Sequence, residues 1–316
     1  MDQAFLFPGQ GSQAVGMGRG LAEAYPAARD VFAEVDDALG QNLTRLMFEG
    51  PEHDLNLTEN TQPALMAASL AVVRVLEGEG LKLDEACRFV AGHSLGEYSA
   101  LAAAGTFNLG DAIRLVRIRA RAMQDAVPEG TGGFAALVGI DREGAEAIAA
   151  DAVADGAGKE VCVVAGDNAP DQILISGTRA GVDRAMDIAR ERGVKRVIEL
   201  PLSVPTHCPL LAPAADTLAE ALADIPVKAP RVALVSNVSA TAISDPDTIR
   251  AQLVAQLTSA VRWRESILFM KDQGIGRVVE LGAGRVLTGL ARRIDRSLIG
   301  VSVQGPDDVE AFLKAT

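Results

Sequence analysis

Apolar and polar positions along the chain fall into two rhythms. Short, mostly apolar runs at 4–7, 88–91, 232–236 and 277–280 are bounded by turn residues, which predicts strands buried on both faces. Between them, apolar residues recur at helical spacing over 27–39, 62–79, 95–104, 109–126, 209–223, 246–258 and 263–273. Gly282-Ala283-Gly284 turns into a further helix through Arg293. Strands alternating with helices imply a mostly parallel sheet covered on both faces. After the helix that stops at Pro128-Glu129-Gly130 the rhythm changes: strand 134–138, helix 142–154, strands 161–165 and 172–176, helix 180–192, strand 196–200. That β-α-β-β-α-β order is the ferredoxin-like split βαβ. It is self-contained, so residues 128–199 are expected to form a small domain inserted into a discontinuous large α/β domain of 1–127 and 200–316.

Composition narrows the class of protein. Hydrophobic residues make up 48% and charged residues 23% of 316, ordinary for a globular enzyme large enough for about two domains. Met1-Asp2-Gln3-Ala4-Phe5 lacks a basic run, so no secretory leader is expected, and no apolar run reaches the ~18 residues of a membrane span. Cys87, Cys162 and Cys208 are sparse and lack metal-ligand spacing, which points to a reducing cytoplasm and to neither zinc nor disulfides. A net charge of −12 disfavours nucleic acid. Basic residues gather locally at 190–196 and 285–296; solvated helix ends are the plainer account of both.

The candidate chemistry begins at Gly92-His93-Ser94-Leu95-Gly96, a G-x-S-x-G pentapeptide between a predicted strand and a predicted helix. A turn this sharp strains the serine and exposes its hydroxyl at a helix N-terminus, where free N–H groups can hold an oxyanion. The alternative is a tight βα turn with an incidental serine. Of three histidines, His53 reads as an exposed loop residue, and His93 adjoins Ser94 on a turn that points neighbours apart. His207 lies in Ser203-Val204-Pro205-Thr206-His207-Cys208-Pro209, stiffened by two prolines at the expected domain seam, and is the candidate base. No acid stands out to orient it, so a backbone carbonyl or amide is equally compatible. Cys208 reads as a small buried hydrophobe. Gly282-Ala283-Gly284 lacks the third glycine of a dinucleotide fingerprint, Leu287 standing there. On the helix over 109–126, Arg114, Arg117 and Arg121 share a face that reads as solvated, whereas Arg119 is out of phase toward the apolar side. A buried arginine needs an anion, either an internal carboxylate or one carried by a substrate.

Five segments in order now carry a resemblance: Phe7-Pro8-Gly9-Gln10-Gly11-Ser12-Gln13, Gly92 through Tyr98, Arg119, Pro205-Thr206-His207, and Gly282 through Gly289. Together they resemble the malonyl-CoA:acyl carrier protein transacylases of bacterial fatty-acid synthesis, over essentially the whole chain. The resemblance implies an α/β fold with a hydrolase-like parallel-sheet large domain and an inserted ferredoxin-like small domain. It implies that Ser94 is malonylated, that His207 is its general base and that Arg119 grips the malonyl carboxylate. Gln10 and Leu95 would supply oxyanion N–H groups, Gln256 a main-chain carbonyl for the histidine, and Gln62 and Asn168 pocket contacts. A second pocket asparagine of the family corresponds to Gly166 here, so that contact is in doubt.

The implied activity is ping-pong transfer of malonyl from malonyl-CoA to the phosphopantetheine thiol of holo acyl carrier protein, by a cytoplasmic monomer without metal or cofactor. Because such carriers are acidic, the basic segments regain interest as a docking surface. The rivals are a discrete acyltransferase of a polyketide pathway, a serine thioesterase or esterase, and a non-catalytic carrier-binding protein. A hydrolase predicts neither a buried arginine at the serine nor a ferredoxin-like insertion.

Overall fold

Two sheets organise the chain in the computed structural model, which describes residues 2–128, 130–154, 158–200 and 204–315. Met1, Glu129, Pro201 and Ser203 of the segments named from the sequence lie outside the described residues. The strands are β1 (Gln3–Phe7), β2 (Phe89–Gly92), β3 (Gly132–Val138), β4 (Cys162–Ala169), β5 (Gln172–Thr178), β6 (Arg196–Glu199), β7 (Leu234–Val235), β8 (Ala242–Ile243), β9 (Arg277–Leu281) and β10 (Ile299–Val303). The larger sheet runs β10-β9-β1-β2-β7-β8, parallel except for the last pair. β1 and β2, at its centre, are buried at every residue, as unbroken apolar runs covered by helices on both faces must be. Their register pairs Phe7 with Gly92, so both strands end level and the loops carrying Gln10 and Ser94 leave the same edge.

The smaller sheet is antiparallel in the order β4-β5-β3-β6, with helices Arg142–Val153 and Arg179–Glu191 as its crossovers. This is the strand order of a split βαβ. β4 extends beyond the expected 161–165 to Ala169, which brings Asp167 and Asn168 to the seam between the sheets. There Gly166 bridges Val261, and the Asp167 carboxylate, wholly buried, accepts a forked pair of hydrogen bonds from Arg264 on helix Trp263–Asp272 (Nε 2.9 Å, Nη2 2.7 Å).

Some elements were not legible in the hydrophobic pattern. β10 and the final helix Pro306–Lys314 complete the large domain's edge, and β8 is too short for its two residues to show a period. The helix expected over 62–79 starts at Thr58, a full turn earlier, because its polar first residues Thr58, Asn60 and Thr61 are buried against their own loops. Most apolar burial forms one cluster on one face of the large sheet. A second cluster around Trp263, Ile267 and Leu287 fills the other, and a third lies under the helices of the small sheet.

Candidate active site

The turn after β2 is closed by backbone approach. A Cβ on Gly92 would lie 1.9 Å from the carbonyl carbon of Gly96, and one on Gly96 would lie 2.1 Å from the carbonyl oxygen of Phe7, so neither position admits a side chain. Ser94 between them has φ 54°, a left-handed conformation strained for serine. Asn237, just beyond β7, straps this turn: its Oδ1 accepts from Ser94 N–H (2.8 Å) and its Nδ2 donates to the Gly92 carbonyl (2.7 Å). Helix Gly96–Ala103 follows directly. The N–H groups of Leu95 and Gln10 have no protein acceptor among the described residues and stand at the edge where both strands end.

His207 Nε2 lies 2.8 Å from Ser94 Oγ, while Nδ1 lies 2.8 Å from the carbonyl oxygen of Gln256. Gln256 is the last residue of helix Pro246–Gln256, so its carbonyl has no intrahelical donor and is available to fix the imidazole. A helix end thus takes the place of an acid. Burial, reinforced by the charge of Arg119, pushes the His207 imidazole down to about 3; it is therefore neutral at neutral pH and free to take a proton at Nε2. His93 points the other way: its Nε2 lies 2.8 Å from Asn168 Oδ1 and its ring meets Trp263 edge-on.

Arg119 is wholly buried beneath Ser94. Its Nη1 donates to Gln62 Oε1 (2.7 Å), and its Nη2 donates to Gln256 Oε1 and to Ser94 Oγ (both 3.1 Å). The face of Tyr98 lies 5.3 Å from the guanidinium carbon. All these partners are neutral. Among the described residues no carboxylate lies within ion-pair distance of this guanidinium, and its Nε has no partner. A buried cation without a contacting anion is costly, which marks the site as one arranged for an anion that arrives from outside.

Arg117 corrects the expectation of a solvated face. It is 7% exposed and only 3.9 Å from Glu59, because helix Leu109–Ala126 is flanked by helices Thr58–Gly78 and Ala212–Ala223 and so is covered over a wide arc. Arg114 and Arg121 remain exposed, and Ile118, beside the buried Arg119, is exposed too. His53 is exposed as expected, on the short helix Glu52–Leu55, and Cys208 is buried.

Above Ser94 a cavity of about 340 Å³ opens between the sheets. Gln10, His93, Asn168 and His207 line its polar end; Phe134, Leu174, Leu200, Leu287 and Leu290 form an apolar wall. Gln62 lies one layer below, its Nε2 donating to Gln10 Oε1 (3.1 Å). Gly166 contributes no side chain, so the second pocket amide is absent at that position. The structure adds two residues the sequence reading did not single out, Asn237 and Glu97. Glu97 is a buried carboxyl in the first turn of helix Gly96–Ala103, a position where acids are common and carry no signal of their own in the sequence. Among the described residues no group of three His, Cys, Asp or Glu side chains is placed to hold a metal ion.

The sequence profile described as acyl transferase domain matches residues 4–302. The chain is 45% identical over 311 residues to a malonyl CoA-acyl carrier protein transacylase of Escherichia coli K12, covering 98% of each. It is 43% identical to one from Bacillus subtilis, covering 98% of this chain and 96% of the relative. A solved acyl-carrier-protein S-malonyltransferase from Bartonella henselae superposes with a TM-score of 0.96 at 48% identity, over 100% of this chain and 99% of that one. A malonyl-transacylase solved with its type II polyketide acyl-carrier protein superposes at 0.95 with 43% identity over the whole of both chains.

Proposed function

The chain belongs to the acyl transferase domain family, and on that premise we infer that it is an enzyme moving malonyl from malonyl-CoA to the phosphopantetheine thiol of an acyl carrier protein, in support of fatty-acid synthesis. The observation that carries the reading is Arg119. A cation wholly buried against neutral amides 3.1 Å from the nucleophile selects an acyl group ending in a carboxylate. That carboxylate would replace the contact between Arg119 and Ser94 and release the hydroxyl for attack.

In the first half-reaction Ser94 Oγ bonds to the thioester carbonyl carbon while His207 Nε2 takes its proton. The oxyanion forms between the N–H groups of Gln10 and Leu95; losing one such donor typically costs ~10²–10³ in rate. The C–S bond breaks, the thiolate takes the proton from His207, and malonyl remains on Ser94. The second half-reaction repeats these steps in reverse order with the carrier's thiol. Malonyl also improves its own base: its carboxylate offsets the Arg119 charge that helps hold His207 down. Asn168 and Gln62 would border the acyl group, and the apolar wall of Leu174 and Leu287 suits a pantetheine arm. The chemistry calls for no metal or cofactor, and every group in it comes from one chain, which supports a monomer. Three buried free cysteines fit a cytoplasmic enzyme. Residues 1–127 and 200–316 would form the catalytic domain and 128–199 the small one.

The test is intact mass after incubation with malonyl-CoA, then addition of holo carrier protein. The expected result is one malonyl on Ser94, discharged by the carrier. Arg119→Ala should slow malonylation on the order of a hundredfold, the scale of losing ~2–3 kcal/mol of charge-assisted hydrogen bonding, while acetyl transfer is spared. Malonylation undiminished by that change would remove the carboxylate clamp, and release of malonate to water without need of a carrier would favour a hydrolase.

A further inference from the structure

Glu97 is a buried carboxyl one turn past the nucleophile that the acyl-transfer steps do not use. Its two oxygens each accept a hydrogen bond. Oε1 takes the backbone N–H of Asn237 (3.2 Å), the residue that straps the Ser94 turn. Oε2 takes the side-chain amide of Gln256 in a close contact. That same amide donates to the Ser94 carbonyl (3.0 Å), which leaves Gln256 Oε1 facing Arg119 Nη2. An amide has one donating and one accepting end, so the acceptors on one side, the Glu97 carboxylate with the Ser94 carbonyl and the more distant Asn237 Oδ1 (3.4 Å), decide which end meets the guanidinium on the other. Turned over, Gln256 would point an NH2 group at a buried cation.

We propose that Glu97 is a specificity-positioning residue: by accepting from both Gln256 and Asn237 it fixes the Gln256 amide with its oxygen toward Arg119, and so keeps the guanidinium aimed at the acyl carboxylate. Glu97 touches neither substrate nor Ser94 Oγ, and it acts through Gln256. The Ser236 hydroxyl also meets the Glu97 carboxyl, but it can accept as well as donate; a glutamine at 97 has a single oxygen for the remaining two groups, which only donate. Either Gln256 or the Asn237 N–H must then face an NH2 group, and only the Gln256 amide is free to rotate. The charged and titratable groups around Glu97 are Arg119, Tyr98 on its own helix, and His207 across Gln256.

This inference rests on the malonyl-transfer reading, and wild-type malonylation of Ser94 tests that reading separately. Glu97→Gln should raise KM for malonyl-CoA about tenfold with kcat changed less than threefold, and should leave acetyl-CoA kcat/KM within threefold of wild type. The malonyl-to-acetyl preference therefore falls about tenfold. Equal loss with both donors would show that Glu97 only supports the elbow and would overturn the proposal, as would an unchanged preference. Gln256→Met keeps the carbonyl that orients His207 and removes the amide. It should lower the same preference by a similar factor, so a wild-type preference there overturns the proposal even if Glu97→Gln fails to fold.

Discussion

At the residue scale the site is a set of polar groups held in low dielectric. Glu97 and His207 show this through titration. Burial raises the Glu97 carboxyl to about 7, so above that pH it is the carboxylate that accepts from Gln256 and Asn237, and burial lowers the His207 imidazole to about 3, so the imidazole stays neutral. Their effects on stability have opposite sign. Between about 4.5 and 7 the folded state holds a proton on Glu97 that the unfolded state releases, so this contribution is present at low pH and is lost as pH rises through 7. For His207 the unfolded state gains the proton, so its contribution is present above about 6.5 and is lost as pH falls toward 3. Over roughly 4.5–6.5 the two oppose each other. Relative to wild type, Glu97→Gln is therefore expected to gain thermal stability steadily from about pH 4.5 to 7. Paired melting curves across that range check it, and a pH-independent offset between the two proteins would refute it. Arg119 and Ile118 carry a residue-scale signal in the sequence, an arginine inside and an isoleucine outside on one helix, the reverse of ordinary patterning.

At the element scale, strand ends and helix ends supply the chemistry. β1 and β2 end level, the helix after β2 starts within four residues of the strand, and the helix Pro246–Gln256 ends with its last carbonyl on His207. The elbow depends on the absence of two side chains. Gly92→Ala would set a methyl group 1.9 Å from the backbone of Gly96, closer than any flexible side chain could relieve. It is expected to abolish Ser94 acylation, either by opening the turn or by preventing folding. Intact-mass labelling with malonyl-CoA alongside circular dichroism distinguishes the two outcomes, and a fully active Gly92→Ala protein would contradict the geometry.

At the scale of the whole molecule, the cavity lies between the two sheets and its walls come from both. The buried Asp167–Arg264 fork and the Gly166–Val261 bridge join them, so Asn168 meets His93 across a fixed seam. Charge is distributed unevenly on this acidic chain. Of the four basic residues at 190–196, Arg190 pairs with Asp187 and Arg192 with Asp151, which offsets half of that segment's positive charge. Arg292 and Arg296 are exposed and, with Arg293, border a second cavity of about 540 Å³; Arg292 and Arg293 lie on helix Val286–Ile294, which also carries Leu287 and Leu290 of the acyl cavity, and Arg296 lies just beyond its end. If the acidic carrier docks there, Arg292→Glu with Arg296→Glu should slow discharge of malonyl to the carrier about tenfold and steepen with falling salt. Loading from malonyl-CoA should stay near wild type, and equal loss in both half-reactions would place the carrier elsewhere. The sequence by itself determined the alternation of strands and helices, the split βαβ insertion, the nucleophile elbow and the odd phase of Arg119, because each is written in local periodicity or in a glycine that only a tight turn requires. Only the tertiary structure decided that Arg117 is covered, that the Gln256 carbonyl the resemblance assigned to His207 is the free end of a helix, and that Glu97 and Asn237 brace the Ser94 turn. Those facts depend on which helices flank which and on where distant segments end, and hydrogen bonds spanning 140 or more residues leave no period in the chain.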